Sequence, residues 1–88
     1  MITVKRFTAS WCAPCKMLAP IFKQMQEEMP DITFETVDVD ENPEEAEAYS
    51  VRSVPTVFIH NDENNKVIGL TGANPKTAYL NAMEAVKV

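Results

Sequence analysis

Apolar residues recur at helical spacing through one long stretch, at Leu18, Ile21, Phe22, Met25 and Met29, which predicts a helix from Ala13 to Met29. Pro20 should kink that helix and Pro30 should end it. Before it, Ile2 to Phe7 reads as a strand, although Lys5 and Arg6 are unusual in a central strand buried on both faces. After it, Ile32 to Val39 reads as a second strand. Asn42-Pro43 and Asn74-Pro75 each look like an Asn N-cap followed by Pro at the first helical position. They predict a short helix through Tyr49 and a last helix through about Val86, with Tyr79, Leu80, Met83 and Val86 on its buried face. Thr56 to Ile59 and Lys66 to Thr71 are expected strands, joined through Asn61-Asp62-Glu63-Asn64-Asn65, where Asn tolerates positive φ. The order β-α-β-α-β-β-α implies an α/β fold: a four-stranded mixed sheet flanked by three helices, with a right-handed crossover between the first two strands.

The chemistry sits where the first strand gives way to the long helix. Cys12 and Cys15 are the only cysteines, three positions apart. A helix N-terminus carries unpartnered N–H groups and partial positive charge, which stabilise a thiolate. Cys12, at the start of the helix, is the expected nucleophile. Cys15, one turn further in on the same side, is placed to resolve a mixed disulfide. Pro14 fits the first turn and stiffens the loop. A metal site would need further ligands; the single histidine, His60, is far along the chain, so zinc within one chain would have to use carboxylates, which is unusual for a structural site, and binding would come mainly through two copies pooling their cysteines. A purely structural disulfide would close too small a loop to constrain the unfolded chain much.

The 88 residues make one domain, 1–88, with a small core. A net charge of −5 argues against nucleic-acid binding through phosphate neutralisation. No apolar run reaches the roughly 18 residues of a membrane span, and the first residues do not read as a signal peptide. A cytoplasmic monomer is expected, with cysteines that cycle between dithiol and disulfide.

The stretch from Phe7 to Pro20, containing Trp11-Cys12-Ala13-Pro14-Cys15-Lys16, resembles the active site of the thioredoxin family. Val37-Asp38-Val39-Asp40-Glu41-Asn42-Pro43 is similar to that family's next strand and its exit. Tyr49-Ser50-Val51-Arg52-Ser53-Val54-Pro55-Thr56 looks like the stretch ending in its cis-proline, and Gly72-Ala73 resembles the turn before its last helix. These anchors lie in the family's order and span nearly the whole chain. Two departures stand out: Ala13-Pro14 replaces the family's Gly-Pro, and the chain opens directly at the active-site strand. It looks like a minimal, glutaredoxin-sized thioredoxin.

The resemblance implies a thioredoxin-like fold and a thiol–disulfide oxidoreductase that reduces protein disulfides and needs no bound cofactor. Electron transport from an NADPH-dependent flavoprotein thioredoxin reductase, and a place in cell redox homeostasis, are implied by the family alone. Trp11, Ala13, Pro14, Val54, Pro55, Gly72 and Ala73 are the expected substrate-binding residues. Pro55 should be cis, letting Val54 offer its backbone to an extended partner. Trp11 reads as a docking surface or as a packing residue, and Gly72 as room for substrate or as a plain turn.

Arg6 occupies the place of the family's buried aspartate, and Thr36 that of the lysine paired with it. Arg6 either stabilises thiolate or turns its guanidinium to solvent. Asp38 or Asp40 could replace the missing proton acceptor. The acidic run from Asp38 to Glu47 either steers basic partners or serves helix stability and solubility. Thiolate stabilisation would make the pair somewhat more oxidising than thioredoxin, whose reference value is about −270 mV. Alternative readings are a dedicated electron donor to one enzyme, such as ribonucleotide reductase, and a binding module whose redox state switches an interface.

Overall fold

The chain alternates short β-branched and aromatic runs with helix formers, and each run becomes one element of the computed structural model, which describes residues 1–88. These are β1 (Ile2–Thr8), α1 (Ala13–Glu28), β2 (Thr33–Asp38), α2 (Pro43–Ala48), β3 (Thr56–Asn61), β4 (Lys66–Thr71) and α3 (Lys76–Ala85). The sheet order is β2-β1-β3-β4. β1 and β2 are parallel, with Arg6 opposite Thr36 and Thr8 opposite Asp38. β1–β3 and β3–β4 are antiparallel. The expected α/β order, with helices on both faces, is what forms.

Alternation along the strands divides the core in two. Ile2, Val4, Val57 and Ile59 point to the face covered by α1 and α3, where they meet Leu18, Phe22, Met25, Tyr79, Met83 and Val86. Burying such a side chain contributes about 1.5–3 kcal/mol. The other face holds a smaller cluster of Phe7, Val37 and Ala46 under α2. Leu80, expected on the buried face of α3, is only partly buried; Ala82 takes that place.

Lys5 and Arg6 fit a central strand because they point to opposite faces, each to a partner. Lys5 reaches Glu45 on α2, lies 3.5 Å from Glu35 and donates to the Tyr49 hydroxyl at 3.2 Å. Arg6 places its guanidinium 5.2 Å from the centre of the Phe22 ring.

The caps differ from expectation. Asn42 stands at the N-cap of α2, but its side chain donates to the Asp38 carbonyl (3.2 Å) instead of capping. Asp38 Oδ1 organises this turn, accepting from the Asp40 and Glu41 amides at 2.8 and 3.3 Å. At α3 the N-cap is Pro75, in extended conformation, so the helix starts one residue later than expected. Asn74 is drawn back to the end of β4, donating to the Thr71 and Gly72 carbonyls. β3 runs two residues past Ile59 because His60 and Asn61 keep pairing with Thr3 and Ile2. Asn65 then turns the chain with φ of 59°. Helix α1 continues through Pro20, and Met29 caps it through an amide bond to the Met25 carbonyl.

Candidate active site

The site forms where β1 ends and α1 begins. The Cys12 amide donates to the Ala9 carbonyl at 3.2 Å, folding the chain sharply from strand into helix. Cys12 is the N-cap of α1, and its sulfur accepts from the Cys15 amide at 3.2 Å. That bond meets one of the orphan donors every helix start leaves open, and it places the sulfur at the positive end of the helix. Pro14 lies in the first turn, where it lacks only an N–H that would be spare. Cys12 and Cys15 are joined as a disulfide, their Cα atoms 5.3 Å apart. Cys15 is 1% exposed and Cys12 4%, so Cys12 is the marginally more exposed residue of the pair. Ala13 and Pro14 beside it are exposed.

Other elements converge on Cys12. The Val54–Pro55 bond is cis. The Val54 carbonyl lies 3.6 Å from Cys12 Sγ, and neither the N–H nor the C=O of Val54 has a backbone partner. The Gly72 amide donates to the Pro55 carbonyl at 2.8 Å, fixing the Gly72-Ala73 turn against this loop. Gly72 has φ of +82°, and a Cβ there would meet nothing within 4 Å, so glycine is set by the turn and not by crowding. Trp11 is 68% exposed, and its Nε1 donates to Asp40 Oδ2 at 2.8 Å. The indole therefore stands at the surface instead of packing inward. Below it a mostly apolar hollow of about 140 Å³ is lined by Trp11, Val39, Val51, Arg52 and Val54, among others. Val39, Val51 and Arg52 were not singled out as site residues from sequence; Val51 and Arg52 lie close to Val54-Pro55 in the chain, which was the available signal, whereas Val39 comes from the exit of β2 and is brought there only by the fold.

Behind the disulfide, a second hollow of about 240 Å³ is lined by Arg6, Thr8, Ser10, Cys15, Lys16 and Asp38, with two alanines. Arg6 Nη2 donates to Thr36 Oγ1 at 3.4 Å, while Nε is buried without a partner. Burial pushes the Arg6 guanidinium below its ordinary pKa, with Tyr79 acting the other way; an arginine so placed still carries its charge at neutral pH. His60 sits at the far end of β3, opposite Thr3 and Val67, away from the cysteines as expected. The largest cavity, about 490 Å³ between Met1, Met29, Pro30 and Lys87, holds no nucleophile and lies at that far end. No cluster of side chains suited to a metal ion occurs.

A disulfide-linked cysteine pair at a helix N-terminus, beside a cis-proline loop with a free backbone, is a centre for thiol–disulfide exchange. The Thioredoxin family model matches residues 1–85. The chain belongs to the thioredoxin family. Thioredoxin of Chlamydia pneumoniae is 39% identical over 77 residues, covering 85% of this chain and 76% of that protein. Thioredoxin 1 of Synechococcus elongatus is 38% identical over 79 residues, covering 89% and 73%. The chain spans about half the length of some other relatives, 52% of Thioredoxin H5 of Oryza sativa subsp. japonica. Among solved structures, Fasciola hepatica thioredoxin superposes with a TM-score of 0.87 at 36% identity, covering 96% of this chain and 79% of the other. Oxidised mitochondrial thioredoxin 3 of Saccharomyces cerevisiae gives 0.84 at 34%, covering 96% and 77%. In this member of the family the Cys12–Cys15 pair is the redox-active disulfide of a thiol–disulfide oxidoreductase.

Proposed function

We propose that this protein works as a protein-disulfide reductase in the cytoplasm, recharged by an NADPH-dependent flavoprotein thioredoxin reductase. The observation that carries the reading is the Cys12 sulfur at the N-cap of α1, bonded to Cys15 and facing the unpaired backbone of Val54. In the dithiol form, the Cys12 thiolate attacks one sulfur of a substrate disulfide. A mixed disulfide forms and the other substrate sulfur leaves as thiolate. The Cys15 sulfur then attacks Cys12 Sγ, the bond from Cys12 to the substrate breaks, and the second substrate thiolate departs. Two electrons pass from the dithiol to the substrate, and both departing sulfurs take protons from solvent. An extended substrate segment would pair with Val54 through main-chain hydrogen bonds, a sequence-tolerant mode that suits many partners. Trp11 and the apolar hollow beneath it would receive one side chain of that segment.

The test is turnover of a protein disulfide such as insulin with excess dithiol as electron donor. Wild-type protein should accelerate reduction, Cys12→Ser should fall to background, and Cys15→Ser should trap a stable mixed disulfide through Cys12. Equilibration with glutathione fixes the direction. A reduction potential near or below about −230 mV supports a reductase, and one above about −180 mV makes the protein a disulfide donor instead.

A further inference from the structure

Two opposite charges flank the resolving cysteine on the sheet face that α1 covers. Arg6 comes from the middle of β1 and Asp38 from the end of β2, and both line the hollow that reaches Cys15. The other charged group there is Lys16, exposed on α1. From α3, Tyr79 is the titratable group that acts on Arg6. Arg6 forms no ion pair. Its side-chain hydrogen bond goes to a neutral hydroxyl, and its Nε is buried with no acceptor. Its charge is therefore not neutralised by a direct ion pair.

The two sulfurs have unequal needs. Cys12, at the N-cap, sits where the field of the helix is strongest. Cys15 lies a turn inward and is the more buried, and burial disfavours a thiolate. Cys15 must nevertheless lose its proton before it can attack Cys12. We propose that Arg6 is a positioning residue for this step, its free charge favouring the Cys15 thiolate across the shared hollow, with Asp38 as the opposing charge that limits the effect. The proton leaves Cys15 to solvent through the same hollow. The sulfur then attacks Cys12 Sγ, and the substrate sulfur leaves with the bonding electrons. This rests on the oxidoreductase reading above.

The sign follows from linkage. A favoured thiolate stabilises the reduced protein, so Arg6 makes the pair more oxidising. The contribution is absent where both sulfurs are protonated, and it grows as pH rises through the range where Cys15 gives up its proton. Wild type, Arg6→Leu, Arg6→Lys and Asp38→Asn should be equilibrated with glutathione redox buffers at pH 6 and pH 9, and the oxidised fraction read by thiol alkylation and mass. At pH 9, Arg6→Leu should be about tenfold easier to oxidise, a drop of about 30 mV. Arg6→Lys should stay near wild type, and Asp38→Asn should move the opposite way. At pH 6 all four should coincide. An Arg6→Leu offset that is equal at both pH values, or absent at both, overturns the proposal. Asn keeps the Oδ1 that organises the turn, so if Arg6→Leu does not fold, Asp38→Asn decides alone: no shift at pH 9 overturns it. Wild type that fails to exchange with glutathione at either pH would instead count against the oxidoreductase reading.

Discussion

Trp11 and Asp40 are joined by an indole-to-carboxylate hydrogen bond of 2.8 Å, although both side chains are exposed. The bond links the loop before Cys12 to the loop after β2, and it holds a large aromatic surface upright beside the nucleophile. Between two exposed side chains, water screens such a contact, so it orients more than it stabilises. Asp40→Ala should therefore leave the unfolding midpoint nearly unchanged, shift Trp11 fluorescence, and raise KM for a protein disulfide several-fold with a smaller change in kcat. Equal loss in kcat and kcat/KM would show that the indole acts on the chemistry and not on docking.

Lys5 carries a pH signature of its own. Burial works to lower its pKa, but its hydrogen bonds to Glu45 and Tyr49 outweigh that, and the net shift is upward. The folded state thus holds this proton after the unfolded chain has released it. The resulting stability is present below the unfolded pKa of about 10.4 and is lost as pH rises towards the folded value. In urea unfolding followed from pH 8 to pH 12, wild type should lose stability relative to Lys5→Met only above about pH 10.5. A difference between the two that stays flat across this range would contradict the assignment.

Gly72 separates backbone strain from crowding. Gly72→Ala places a Cβ in open space but forces alanine into the left-handed region at φ of +82°. The expected cost is about 1–2 kcal/mol, from conformation alone. Larger residues at this position should cost little more than alanine, which a short series of variants in urea would check.

Asn61 is buried at the end of β3. Its Nδ2 donates to the Val86 carbonyl at 3.0 Å, and its Oδ1 accepts from the Glu63 amide. Together with Asn64, which donates to the same carbonyl, it ties the end of α3 to the β3–β4 hairpin. Asn61→Ala strands buried polar groups and should cost about 1–3 kcal/mol in unfolding free energy, while the reduction potential stays the same.

The order of elements and the cysteine pair were legible in the sequence because they rest on local signals: apolar periodicity through α1, prolines at helix starts, and two cysteines at a strand-to-helix junction. What escaped was set by tertiary hydrogen bonding. Asn42 and Asn74 both carry the N-cap signature, yet both side chains are drawn to carbonyls at strand ends. The pairing of Lys5 with Glu45, 40 positions apart, depends on α2 crossing the sheet, which no local pattern reports. The two faces taken by Lys5 and Arg6 could have been read from strand alternation; their partners could not. The same holds for the hollow shared by Arg6, Asp38 and Cys15, which exists only once β1, β2 and α1 have assembled.

One sulfur atom serves two purposes in this molecule, since Cys12 Sγ is both the reacting atom and the acceptor for the Cys15 amide. In the disulfide that acceptor is a neutral divalent sulfur; in the thiolate that attacks substrate it is an anion, and a bond to an anion is stronger. The first turn of α1 is consequently better fastened when the protein is charged with electrons than when it is spent. Hydrogen–deuterium exchange at the Cys15 amide should slow on reduction, making that single proton a reporter of the redox state.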